Sequence, residues 1–144
     1  MINLKLSNGD KLDIAYPIEL KDEDGNIVYR QNSIGYRVKR EFTNGECTYW
    51  EDSIGNWVKS EFTNGELTYW EDSNGNWEKR EFTDGEITYW KDSNGDWAKR
   101  EYTNGKRTYW KDSDGIKYGT LKSDKKQAIL DQIEALKKQA EELS

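Results

Sequence analysis

Histidine is absent from all 144 residues, and cysteine and proline occur once each. The lack of His removes both the commonest general base and the commonest metal ligand. One Cys allows no internal disulfide and fits a reducing, cytoplasmic setting. The opening residues, from Met1 to Asp10, lack the apolar run of a signal peptide, and no apolar stretch is long enough to span a membrane. Hydrophobic residues make up 33% and charged residues 35%, a balance that by itself points toward disorder. These absences lead us to expect a chain with no catalytic residues, no cofactor and no metal.

Aromatic content argues against disorder. It reaches 13%, and every Trp and every Phe lies between Phe42 and Trp110. Charge is uneven too. The net charge is −6; residues 41–60 and 61–80 each carry −3, while 101–120 carry +1. An acidic middle disfavours nucleic acid, whose binding draws most of its affinity from basic side chains. It suits a protein partner with a basic surface.

Over the same stretch one phrase recurs with a period of twenty residues, close to E-F-T-N-G-E-x-T-Y-W-E-D-S-N-G-N-W-x-K-R, and a glycine falls every ten from Gly25 to Gly115. A fixed period means one small unit stacked on copies of itself. Asn64-Gly65 and Asn74-Gly75 mark turns, because Asn and Gly tolerate the positive φ of a tight hairpin. Two-residue loops at both would leave eight residues per strand and some thirteen strands in all. Residues 21–40 are a worn copy, with Arg30 and Arg37 where later copies have Trp. Period-two alternation around Asn8-Gly9 predicts a separate opening hairpin that ends at Pro17.

Two-residue loops also predict a register. Trp70 would lie between Lys59 and Lys79, and Asp72 between Trp57 and Trp77, so that all the Trp residues share one face in Lys–Trp and Asp–Trp rows. Phe62, Leu67 and Phe82 would take the other face with a Tyr/Arg row. There are no strands left for a second layer. The predicted fold is therefore mainly β: a repeat-built antiparallel β-meander, open, twisted and largely single-layer, with one C-terminal α-helix. Its segments are 1–17 (hairpin), 18–121 (array) and 122–144 (amphipathic helix).

In the helix, Ser123 reads as the N-cap. Ile129, Ile133, Leu136, Ala140 and Leu143 are spaced 4, 3, 4, 3, as in an a/d seam. That seam would either pack on the sheet or pair with a second copy as a homo-oligomer contact.

At the level of G-N-W-E-K-R-E-F-T-D-G-E-I-T-Y-W-K-D-S-N-G the chain resembles tandem β-hairpin repeats of uncharacterised phage and bacterial proteins. More distantly it is similar to the YwqK-type variant of MORN repeats and to choline-binding repeats. The resemblance implies a protein-binding module, in its most concrete form a phage-encoded inhibitor of a host defence or nucleic-acid-binding protein. A carbohydrate- or cell-wall-binding array and a self-associating structural protein are the alternatives.

The D-S-N-G-N stretch at Asp72–Asn76 spaces oxygen ligands like a calcium loop, but its Gly stands where a hairpin needs it. Cys47 occupies the slot of Leu67 and Ile87 and reads as a small apolar residue. Acidic pairs such as Glu51-Asp52 and Glu71-Asp72 point to opposite faces of a strand, although Glu71 and Glu78 would share one across the turn. The candidate binding residues are Trp50, Trp57, Trp70, Trp77, Trp90 and Trp97, with Glu51, Asp52, Glu71 and Asp72.

Overall fold

A computed structural model describes the backbone of residues 2–5 and 11–143, and the side chains of 15–143. Strands β1 (Ile2–Lys5) and β2 (Lys11–Ile14) form a two-stranded sheet of their own, pairing Ile2 with Ile14 and Leu4 with Leu12. The Asn8-Gly9 turn expected between them lies outside the described residues. After Pro17 the chain runs through β3 (Ile18–Lys21), β4 (Ile27–Gln31), β5 (Arg37–Thr43), β6 (Glu46–Asp52), β7 (Trp57–Thr63) and β8 (Glu66–Asp72). It continues as β9 (Trp77–Thr83), β10 (Glu86–Asp92), β11 (Trp97–Thr103), β12 (Lys106–Asp112) and β13 (Lys117–Gly119), then α1 (Lys122–Glu142). Strands β3 to β13 lie side by side in sequence order, an eleven-stranded antiparallel meander.

The chain divides into two compact units, residues 1–79 and 80–144. In the described part of each, the sheet is a single layer. Among the described side chains only Ala98 and Tyr109 are buried, at 2% and 3% exposure. Most other apolar side chains of the repeats are half-buried against their neighbours across the strands.

The ten-residue beat hides two different turns. At Asn64-Gly65 both residues have positive φ, 52° and 79°, the type I′ hairpin that matches strand twist. At Ser73-Asn74-Gly75 only the glycine does, with φ 84°. That loop has three residues, closed by the Asp72 N–H donating to the Asn76 carbonyl at 2.9 Å. The Asp72 carboxylate holds it from inside: Oδ1 accepts from the N–H groups of Asn74 and Asn76 at 2.9 and 3.0 Å, and Oδ2 from Asn76 Nδ2 at 3.1 Å. An aspartate at this position satisfies loop N–H groups that no ladder reaches. The serine that follows serves the neighbouring repeat: Ser73 N–H donates to the Trp57 carbonyl, and Ser73 Oγ accepts from the Trp57 N–H.

The second departure is a β-bulge in the β5–β6, β7–β8 and β11–β12 hairpins. Phe62 pairs with Leu67, as the two-residue turn demands, but Glu61 pairs with Tyr69. Thr68 is the extra residue, and its hydroxyl donates to the Glu61 carbonyl at 3.2 Å. Thr48, Thr88 and Thr108 do the same to Glu41, Glu81 and Glu101. A bulge leaves one residue without a ladder partner and shifts everything beyond it by one.

Together the bulge and the three-residue loop shorten β5 to β12 to seven residues each, not eight. They also overturn the predicted faces. A one-residue slip moves a side chain to the opposite face. Trp70 lies between Ser60 and Glu78, not between Lys59 and Lys79. Asp72 pairs with Val58, and Trp77 with Glu71. The Trp residues are therefore divided between the two faces.

The helix also departs from expectation. Leu121, not Ser123, holds the N-cap position, and no side chain of the helix caps it. The Lys122 N–H finds its acceptor across the fold, at Glu101 Oε2 3.0 Å away, while Lys122 Nζ donates to the Tyr102 carbonyl at 2.6 Å. Beyond this anchor the helix buries no residue, so the expected packing of its apolar seam on the sheet does not occur.

Candidate functional site

In the first unit, one face collects Trp57, Lys59 and Glu61 of β7 with Tyr69 and Glu71 of β8, since these pair directly or alternate by two. Lys39, Glu41, Tyr49 and Glu51 of β5 and β6 repeat the pattern one hairpin earlier. We call this the tyrosine face. The opposite, phenylalanine face carries Phe42, Cys47, Trp50, Val58, Phe62, Leu67 and Trp70.

The predicted binding residues are split accordingly. Glu51, Glu71, Trp57 and Trp77 lie on the tyrosine face; Trp50, Asp52, Trp70 and Asp72 lie on the other. In the second unit Trp97 pairs with Lys91, and Trp90 with Ala98, so these two also take opposite faces. Glu71 and Glu78 do not meet, because they pair with Trp77 and Trp70 on opposite faces.

Asp52 and Asp72 are committed to their turns. The Asn56 and Asn76 side-chain amides and the loop N–H groups hold both carboxyls below the usual aspartate range, against a smaller opposing effect of burial. Tyr36 also donates to Asp52 Oδ2 at 3.3 Å. Cys47 is free and half-buried, with its thiol donating to the Tyr49 carbonyl at 3.4 Å.

The tyrosine face is a fixed network of alternating groups. Tyr49 and Tyr69 donate to Glu51 Oε2 and Glu71 Oε2, each at 3.0 Å. Lys39 and Lys59 stand 3.8 and 3.9 Å from the other oxygen of those carboxylates. Lys59 also lies over the Trp57 ring at 5.2 Å, and Lys79 over Trp77 at 5.8 Å and Tyr69 at 5.9 Å. Lysine–tryptophan contacts thus exist, but between residues two apart on one strand, not across strands. The hydrogen bond to Glu51, followed by burial and the glutamate charge, raises the Tyr49 hydroxyl above its ordinary pKa. For Tyr69 burial comes first and the bond to Glu71 second.

The same shallow cleft opens on this face in both units. In the first, Glu41, Thr48, Tyr49, Lys59 and Glu61 line about 480 Å³. In the second, Glu81, Thr88, Tyr89, Lys99, Arg100 and Glu101 line about 450 Å³, with Tyr109 and Leu121. The units differ beside the cleft: Ser60 is replaced by Arg100, and Glu51 and Glu71 by Lys91 and Lys111, so a cation stands where the tyrosine's carboxylate acceptor was.

Sequence reasoning missed Tyr49 and Tyr69 as the groups that hold the carboxylates, and Glu41 and Glu61 as walls of the cleft. The Tyr–x–Glu spacing was the available signal, because residues two apart on a strand share a face whatever the register. Among the described residues no group of His, Cys, Asp or Glu is arranged to hold a metal ion, and no helix is long and apolar enough to cross a membrane. No protein-family model matches the chain, and no curated protein matches it.

Proposed function

We propose that the chain is a non-catalytic binding protein whose tyrosine face, over β5 to β8, takes a basic surface of a protein partner in the cytoplasm. The observation that carries this reading is the pair of tyrosine–glutamate bonds. They hold Glu51 and Glu71 in place before any partner arrives, next to the rings of Trp57 and Trp77. Groups ordered in advance lose less freedom on binding. The two carboxylates are two strands apart across the sheet and two residues apart along it, roughly 12 Å between their backbones, a span that two long basic side chains of a partner can bridge.

The most specific form of the proposal is an inhibitor, phage-encoded as the repeat resemblance implies. Its carboxylates would occupy a host nucleic-acid-binding groove where phosphates otherwise sit. Aromatic rings support this better than the choline-binding alternative, because this chain's own Lys59, Lys79 and Lys99 already lie over Trp57, Trp77 and Trp97. A quaternary ammonium would have to displace them.

Tryptophan fluorescence of the full chain, titrated with a lysine- and arginine-rich peptide, tests the proposal. Saturable binding should weaken about tenfold in the Glu51→Gln/Glu71→Gln variant, as expected when rim and pocket charges of a complementary interface are removed. A Glu23→Gln control in the loop between β3 and β4 should bind normally. No saturable change, or equal loss in the control, would overturn it.

A further inference from the structure

Helix α1 carries an apolar stripe that the described residues of its own chain leave exposed. Ile129, Leu130, Ile133, Leu136 and Leu143 are 56%, 47%, 43%, 63% and 89% exposed. The contacts that fasten the helix lie at Lys122, at its first residue. A helix that packs against nothing goes without the main source of helical stability in proteins, the packing of an apolar face.

We infer that α1 pairs with α1 of a second copy, antiparallel, making the chain a homodimer at moderate concentration. This goes beyond the partner-binding reading and uses a different surface. Three observations select a second copy. First, the seam is complementary to itself. An antiparallel alignment that sets Ile133 against Leu136 of the other copy also sets Ile129 against Ala140, large against small. The same alignment puts Lys126 beside Leu143, where its aliphatic stem covers the leucine.

Second, the ends of the helix suit reversal. Its last turn contains no base and carries Glu142, an arrangement that the negative C-terminal end of the helix dipole disfavours. Antiparallel pairing brings Lys125 and Lys126 of the other copy to that end and opposes the two dipoles. A parallel pair would instead set like ends together.

Third, the area is of the right size. The exposed fractions of the five side chains leave on the order of 500 Å² of apolar surface per helix, so about 1,000 Å² across the seam, at the lower limit for a specific interface. That predicts a dimer that dissociates on dilution, not an obligate one.

Sedimentation of the full chain between about 1 μM and 200 μM tests the inference, a range that brackets a micromolar interface. The weight-average mass should rise from monomer toward dimer. The Ile133→Glu/Leu136→Glu variant should stay monomeric, with unchanged tryptophan emission because neither side chain touches the sheet. A wild type that is monomeric throughout, or a variant that still dimerises, would overturn the inference. Orientation has its own readout. On a Cys47→Ser background, chains with Lys125→Cys and chains with Glu142→Cys are mixed and oxidised. The mixed disulfide should dominate; a predominance of Glu142→Cys homodimers would overturn the antiparallel pairing.

Discussion

The Thr68 hydroxyl donates to the carbonyl of Glu61 at 3.2 Å, and that bond marks the residue whose exclusion from the ladder sets Trp70 on the opposite face from Lys59. Before the bulge the strands pair as a plain two-residue hairpin. After it, tyrosine, not tryptophan, stands between the glutamate of one strand and the lysine of the next.

Thr68→Val should therefore destabilise the fold by about 1 kcal/mol, the usual net value of one intramolecular hydrogen bond. A urea denaturation midpoint should fall while its slope is retained. Deleting Thr68 is a different experiment. It removes the bulge itself and leaves Tyr69 opposite Glu61 and Trp70 opposite Ser60, so its near-ultraviolet circular dichroism should be kept, and a loss of that signal would show that the bulge is needed to hold the pairing beyond it.

Acid should loosen the three-residue turns first. Asp52 and Asp72 have folded pKa values below their unfolded ones, because the Asn56 and Asn76 amides and loop N–H groups bind the charged form. Their contribution is therefore fully present above the ordinary aspartate value of about 3.9 and is lost as pH falls through the lower folded value. Urea midpoints measured from pH 6 down to pH 2 should drop in that window. The drop should be smaller in Asp52→Asn/Asp72→Asn, which begins less stable at pH 6.

Base should act on the tyrosine face. The hydroxyls of Tyr49 and Tyr69 are raised by their bonds to Glu51 and Glu71 and by burial. Their contribution is complete below the unfolded value of about 10 and disappears as pH rises through the higher folded value. Ultraviolet titration of tyrosinate should show late-titrating residues. Glu51→Gln/Glu71→Gln should move two of them back toward the ordinary range.

Gly119 should tolerate no side chain. Its φ is +75°, and a Cβ would run into the Thr108 carbonyl of the neighbouring strand. Gly119→Ala should cost more than the roughly 1–2 kcal/mol that positive φ alone imposes. Hydrogen exchange should show faster amides at Trp110 and Lys117 on the two strands it joins, with those of β5 to β8 unchanged.

Much of this was legible in the chain. The glycine beat, Asn-Gly pairs and twenty-residue phrase were enough to expect a mainly β meander, and residues two apart on one strand, such as Tyr69 and Glu71 or Trp57 and Lys59, had to share a face. The local physics of a strand decides both. What only the tertiary structure decided is which residues meet across strands. The bulge at Thr68 and the third loop residue at Ser73 each shift pairing by one. Their cost or gain rests on long-range bonds, from Thr68 to Glu61 and from Ser73 to Trp57, that no periodicity encodes. The helix shows the same division. Its apolar seam is written in the spacing from Ile129 to Leu143, but its start at Lys122 is set by a carboxylate twenty-one residues away, Glu101, which replaces the cap that Ser123 was expected to supply.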